Sequence, residues 1–171
     1  MAGCAACVIV VAIVWILYSE LHPKMYLLGC GSESQYENFF LFFNTREYCE
    51  SMYFNEEKGE VHVSANGRQR RNWIKEADEI INTFRNHDMS LIPLDMVVSP
   101  DRKVIRLSMT YENDLLALWL VLRGVEIYQV FSGNSDWEVD IFIYDRNTDD
   151  LIYQCRFPEE GVALTPDMFR E

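Results

Sequence analysis

From residue 2 to residue 18 the chain reads AGCAACVIVVAIVWILY, without a charge and with hardly a polar atom. Apolar positions fall on every side, so the pattern predicts a helix with no polar face, one that lipid satisfies more readily than water. Seventeen helical residues span about 26 Å, and membrane-crossing helices begin at about 17 residues. Trp15 and Tyr18 fall where aromatic side chains meet headgroups. No Lys or Arg precedes the run, and SELHPK after it offers no small-residue cleavage site, so a removed export signal fits poorly. An uncleaved N-terminal transmembrane helix is expected.

Beyond a linker-like stretch with Pro23, Gly29 and Gly31, the pattern changes to a three-to-four repeat. Tyr36, Phe39, Phe40 and Phe43 share one helical face, with Ser34 as a cap. Thr45 is expected to cap a second short helix through Tyr48, Met52 and Tyr53. GEVHVSA alternates and predicts a half-buried strand. Trp73, Ile74, Ala77, Ile80, Ile81 and Phe84 then form the clearest amphipathic stripe in the chain.

Strands follow. LDMVVS and KVIRLSMTY flank a turn at Ser99-Pro100-Asp101-Arg102. LLALWLVL is apolar on all sides; Asn113 or Asp114 in front and Arg123-Gly124 behind favour a buried helix. VEIYQVF, WEVDIFIY and LIYQCRF read as strands joined by SGNSD and DRNTDD loops. The fold class is therefore α+β: an N-terminal transmembrane helix, then one compact domain with helices packed on a largely antiparallel sheet. The expected boundaries are 1–24 for the anchor and its flank, 25–34 for a juxtamembrane linker, 35–157 for the domain and 158–171 for an acidic tail.

The chain has 171 residues and a formal net charge of −12, all of it past the apolar run because Glu20 and Lys24 cancel. Such a surface repels nucleic acid and favours a basic protein or a cation. Cys4-x-x-Cys7 lies inside the apolar run, where a redox pair lacks an exposed thiol. Cys30, Cys49 and Cys155 remain; a Cys30–Cys49 bridge would add about 3 kcal/mol, and buried free thiols fit equally well. LLGC at 27–30 resembles the end of a lipoprotein signal, but Ser19, Glu20, His22, Pro23 and Lys24 separate it from the apolar run.

Chemistry-bearing motifs are sparse. Asp145, Asn147 and Asp149 alternate as in a calcium loop, yet that loop needs Gly at its sixth position and Glu at its twelfth, where Asp150 and Arg156 stand. His22, His62 and His87 show no metal spacing. His87, Asp88 and Ser90 lack the context of a nucleophile elbow. NGRQRRNWIK holds the one basic cluster: Arg68, Arg70, Arg71 and Lys75, with Trp73 among them. Cations at a helix start oppose the macrodipole, so an acidic patch of the same domain, an acidic partner or anionic headgroups should answer them.

The expectation is a single-pass, membrane-anchored, non-catalytic protein-binding domain. It would serve as an accessory subunit of an envelope assembly or as a toxin-neutralising immunity protein, with the domain extracytoplasmic. Arg68, Arg70, Arg71, Trp73 and Lys75 are its expected partner-binding residues; no catalytic residue, cofactor, metal or nucleic acid is expected. An enzyme built on scattered carboxylates, or a cation or small-ligand sensor using DRNTDD, is the alternative.

Overall fold

The structure, a computed structural model, describes residues 2–29, 33–85, 95–109 and 115–169. Its elements are mixed α and β, as expected, and the chain divides into two compact units, Met1–Trp73 and Ile74–Glu171.

The first unit opens with α1, Ala2–Leu21, a continuous helix. Its described side chains are exposed on all sides: Ile9, Val11, Ile13, Val14, Trp15, Leu17 and Tyr18 are each more than half accessible. Among the described residues no helix is long and apolar enough to cross a membrane; the side chains at 2–8, 10, 16 and 19 lie outside the description. Three strands then form an antiparallel sheet in the order β1 (Lys24–Gly29), β3 (Glu60–Ala65), β2 (Ser51–Asn55).

Two expectations are corrected here. Residues 24–29 are not linker but strand, paired with β3 from Lys24↔Ala65 to Gly29↔Glu60. Met52 and Tyr53 are not helical but lie in β2, Met52 turned inward and Tyr53 outward. Among the described residues the core of the unit is small: Leu28, Cys49, Met52, Val61, Val63, Ala65 and Trp73. Helix α2, Glu33–Phe43, is present as expected. It packs on β2 through Tyr36, whose ring lies 5.5 Å from Phe54 and whose hydroxyl donates to Met52 O at 3.5 Å. Ser34 and Phe39 have side chains outside the description.

The second unit begins within α3, Gly67–Arg85, and holds a four-stranded sheet. Its order is β4 (Asp95–Val98), β5 (Val104–Met109), β6 (Val139–Asp145), β7 (Leu151–Phe157). The outer pairs are antiparallel and the central β5–β6 pair is parallel, so the expected meander becomes a mixed sheet. A parallel pair needs a crossover of a dozen or more residues, and α4, Leu115–Ser132, supplies it. VEIYQVF is accordingly helix, not strand.

Gly124 explains why α4 continues where a stop was expected. A Cβ there would lie 3.0 Å from Ile81 Cγ1 and 3.3 Å from the Ala77 carbonyl, so the missing side chain lets α4 approach α3 closely. Glycine here is a packing residue rather than a cap. The core joins Ile81, Met96, Ile105, Leu107, Leu118, Val121, Val125, Ile141 and Ile143. Gln129, 3% exposed, donates at 2.8 Å to both Arg102 O and Glu138 O and accepts from Asn134 at 2.7 Å, which holds the β4–β5 loop and the α4–β6 loop to α4. Residues expected as a tail return to the unit: Val162, Leu164 and Phe169 pack against its core, and Ala163 N donates to the Tyr153 hydroxyl at 3.2 Å.

Candidate functional site

Of the expected binding residues, Arg68, Arg70, Arg71 and Trp73 sit on the first two turns of α3 and Lys75 begins the third. The helix starts at Gly67, earlier than its apolar stripe suggested, because Asn66 and Gln69 form a capping box. Asn66 Oδ1 accepts from Gln69 N at 3.0 Å, and Gln69 Oε1 accepts from Asn66 N at 2.8 Å. The N-x-x-Q signal was available in the sequence. Gln69 is 3% exposed, and its amide also donates to Arg46 O at 3.1 Å and to Glu50 Oε1 at 3.0 Å. Asn72 Nδ2 donates to Glu47 O at 2.9 Å and Trp73 Nε1 to Tyr48 O at 2.8 Å. Three consecutive carbonyls of the α2–β2 loop are thus held by one helix face.

The opposition between the arginines and the helix dipole is answered from within the unit. Glu20, in the last turn of α1, lies against Gly67, where an added Cβ would come within 2.5 Å of its carboxylate. The same carboxylate accepts from Arg71 Nη1 at 2.6 and 2.7 Å. Glu50 approaches the cap as well, accepting from Asn66 Nδ2 at 3.0 Å. Carboxylates at a helix N-terminus offset the partial positive charge there.

The expected site residues therefore separate. Arg68 and Arg70 are exposed, and Arg71 is exposed but bonded to Glu20. Lys75 is exposed and pairs with Glu79 one turn on at 3.3 Å. Trp73 has 0% exposure; its ring lies 4.7 Å from Phe43 and 5.3 Å from Tyr48, so it presents no surface to a partner. Arg46, which the sequence reading passed over, is exposed on the loop that Gln69 holds. Shortly before it in sequence, the last turn of α2 carries Leu41 and Phe42, 76% and 73% exposed.

The outer face of the first sheet holds a second polar arrangement. Tyr53 and His62 are cross-strand partners; their rings stack at 4.8 Å, and the Tyr53 hydroxyl meets His62 Nδ1 at 3.1 Å. His62 Nε2 faces Glu60 Oε2 at 3.5 Å. Two clefts are lined by residues of the second unit.

One of those clefts, of about 340 Å³, is lined by Asp145, Thr148, Asp150, Leu151, Ile152 and Met168. It lies at the DRNTDD hairpin. Asp145 is 1% exposed and closes its own turn, Oδ1 accepting from Asn147 N at 2.8 Å. Asp149 takes a left-handed φ of 60° with its amide donating to Asp145 O. Among the described residues no group of three His, Cys, Asp or Glu could hold a metal ion. His87, Asp88 and Ser90 lie outside the described residues.

Cys49 and Cys155 carry free, buried thiols. Cys30 lies outside the described residues; of the two expected states for Cys49, the structure has the buried thiol, its Sγ donating to Phe43 O at 3.6 Å. Burial pushes both thiols above their ordinary range, which keeps them protonated and unreactive.

No family model, no curated protein and no solved structure matches this chain, so its chemistry is read from these residues alone.

Proposed function

We propose that the protein is a single-pass, membrane-anchored, non-catalytic domain that binds another protein, with α1 as its anchor and the folded part outside the cytoplasm. The observation that carries this reading is the exposure of α1. Apolar side chains stand accessible around its whole circumference, from Ile9 at 59% to Trp15 at 71%. A water-soluble unit would leave such a helix with nothing to bury it, whereas lipid tails satisfy it on every side. Glu20 is the first charge after the run.

The protein partner is assigned to the acidic unit. Ile74–Glu171 carries nineteen Asp and Glu against nine Lys and Arg, while Met1–Trp73 carries eight against six. Exposed carboxylates such as Glu138, Asp149, Asp150, Glu159 and Glu160 suit a basic protein surface, which they would steer and orient. Such a surface fits either a toxin-neutralising immunity protein or an accessory subunit of an envelope assembly.

Carbonate extraction of membranes tests the anchor: the protein should stay in the pellet, and release into the supernatant would end the reading. Purification from detergent at low and high salt tests the partner: a companion protein should be lost as salt rises. A chain emerging alone at both salts would remove the binding role.

A further inference from the structure

The geometry points to a second membrane contact: the anchor-proximal end of the first unit is a collar that binds anionic phospholipid headgroups through Arg46, Arg68 and Arg70 and seats Leu41 and Phe42 among them. It rests on the anchor reading, and it moves the basic cluster from a protein partner to lipid.

Three contacts bring this collar together. The end of α1 is fixed to α3 by the Glu20–Arg71 pair at 2.6 Å. The loop carrying Arg46 is fixed to the same turns by Gln69, at 3.1 Å. The end of α2 is fixed there by Phe43 against Trp73, at 4.7 Å. Seven residues of helix are about 10 Å long, so all three attachments fall within that length of α3. If α1 leaves the bilayer at Glu20, this end of the unit lies at headgroup level.

Its composition fits that place. Among the described residues, Leu41 and Phe42 are the most exposed apolar side chains of the folded part, at 76% and 73%, and Phe40 beside them is 36% exposed. Large apolar side chains clustered at a surface mark an interaction site. The nearby carboxylates are mostly engaged inside the unit, Glu20 by Arg71 and Glu50 by Asn66 and Gln69. Glu47 is exposed on the loop, against the three exposed arginines. Aromatic and basic side chains together suit an anionic membrane surface.

The test uses the full chain in vesicles of phosphatidylcholine with a minority of phosphatidylglycerol. Benzoylphenylalanine replaces Phe42 in one sample and Trp15 in another, and photo-adducts are read by mass spectrometry. Lipid adducts are expected at both positions. The yield at 42 should fall several-fold in R46E/R68E/R70E and in phosphatidylcholine alone, with the yield at 15 unchanged. Lipid at 15 but none at 42, or an adduct at 42 to a second copy of the chain, overturns the collar and leaves the anchor. Equal yields at 42 in neutral and anionic vesicles overturn the headgroup assignment. Lipid at 42 without lipid at 15 overturns the anchor, and with it the placement of the collar.

Discussion

The two units use their apolar residues in opposite ways. In the second unit they are gathered inside: α4 buries Ala117, Leu118, Val121, Leu122, Val125, Ile127, Val130 and Phe131, and β6 alternates buried and half-buried along its length. In the first unit a few buried side chains centre on Trp73, while α1, the end of α2 and the outer sheet face leave Trp15, Leu41, Phe42, Met25 and Leu27 accessible. The charge divides too, with most of the acidic excess in the second unit. A small core and a large accessible apolar surface suit a unit that meets lipid; a dense core under an acidic surface suits one that meets water and a charged partner.

This contrast is open to attack at its strongest point, the sheet core. Ile141 has 0% exposure on central strand β6, opposite Ile105 on one side and Cys155 on the other. Ile141→Ala should cost about 4 kcal/mol through lost burial and the cavity left behind. Urea denaturation in detergent micelles, followed by labelling of the two buried thiols, reads each unit separately. Cys155 should become reactive at much lower urea, with a smaller shift at Cys49. Equal shifts would mean that the two units unfold as one and that the contrast has no energetic counterpart.

Trp73 is the corresponding residue of the first unit. Trp73→Phe keeps an aromatic ring but removes volume and the Nε1–H bond to Tyr48 O, leaving a carbonyl without that donor. A loss of about 2–3 kcal/mol is expected, read now as earlier exposure of Cys49. A loss near zero would place Trp73 back among surface residues.

The sequence made the second unit's strands legible because each has one buried face: Ile105, Leu107 and Met109, or Val139, Ile141 and Ile143, alternate with less buried neighbours. It hid α4 because a helix buried on most sides loses its period, and the alternation of Val125 and Ile127 imitates a strand. Strand β1 was hidden for the opposite reason. Met25 and Leu27 are apolar although they face outward, so KMYLLG shows no alternation to read. In the candidate site, Trp73 was grouped with its arginine neighbours, although its spacing from Ala77 and Ile81 already placed it on the buried stripe. Arg46 was invisible because only the Gln69 bond, 23 residues away in sequence, brings its loop to α3.

Gly124 gives a prediction whose sign separates two arguments. Helix propensity alone favours Gly124→Ala by about 1 kcal/mol. The structure puts the new methyl 3.0 Å from Ile81 and 3.3 Å from a backbone carbonyl that a rotamer change cannot move. A net loss of about 1–2 kcal/mol is therefore expected from overpacking, with Cys155 exposed earlier in urea. A gain in stability would mean that α4 stands off from α3 and that the glycine is only a relic of chain flexibility.

The smallest effect concerns the thiols themselves. Of the two buried free thiols, Cys49 lies in the first unit and Cys155 in the second, and burial raises the pKa of both, with Glu50 adding to the rise at Cys49. A thiol whose folded pKa lies above its unfolded value binds its proton more tightly when folded. Its contribution is thus complete below the ordinary thiol pKa of 9.0 and is lost as pH climbs through the raised value. Stability should decline slightly from pH 9 upward, and C49A/C155A should flatten that decline. Peptide-resolved maleimide labelling near neutral pH adds the comparison between units. Both thiols should react slowly in the folded chain, and Cys49 should react faster than Cys155, because a smaller core opens locally at lower cost. The reverse order would make the first unit the more rigid of the two, and its exposed apolar surface would then sit on the firmer scaffold.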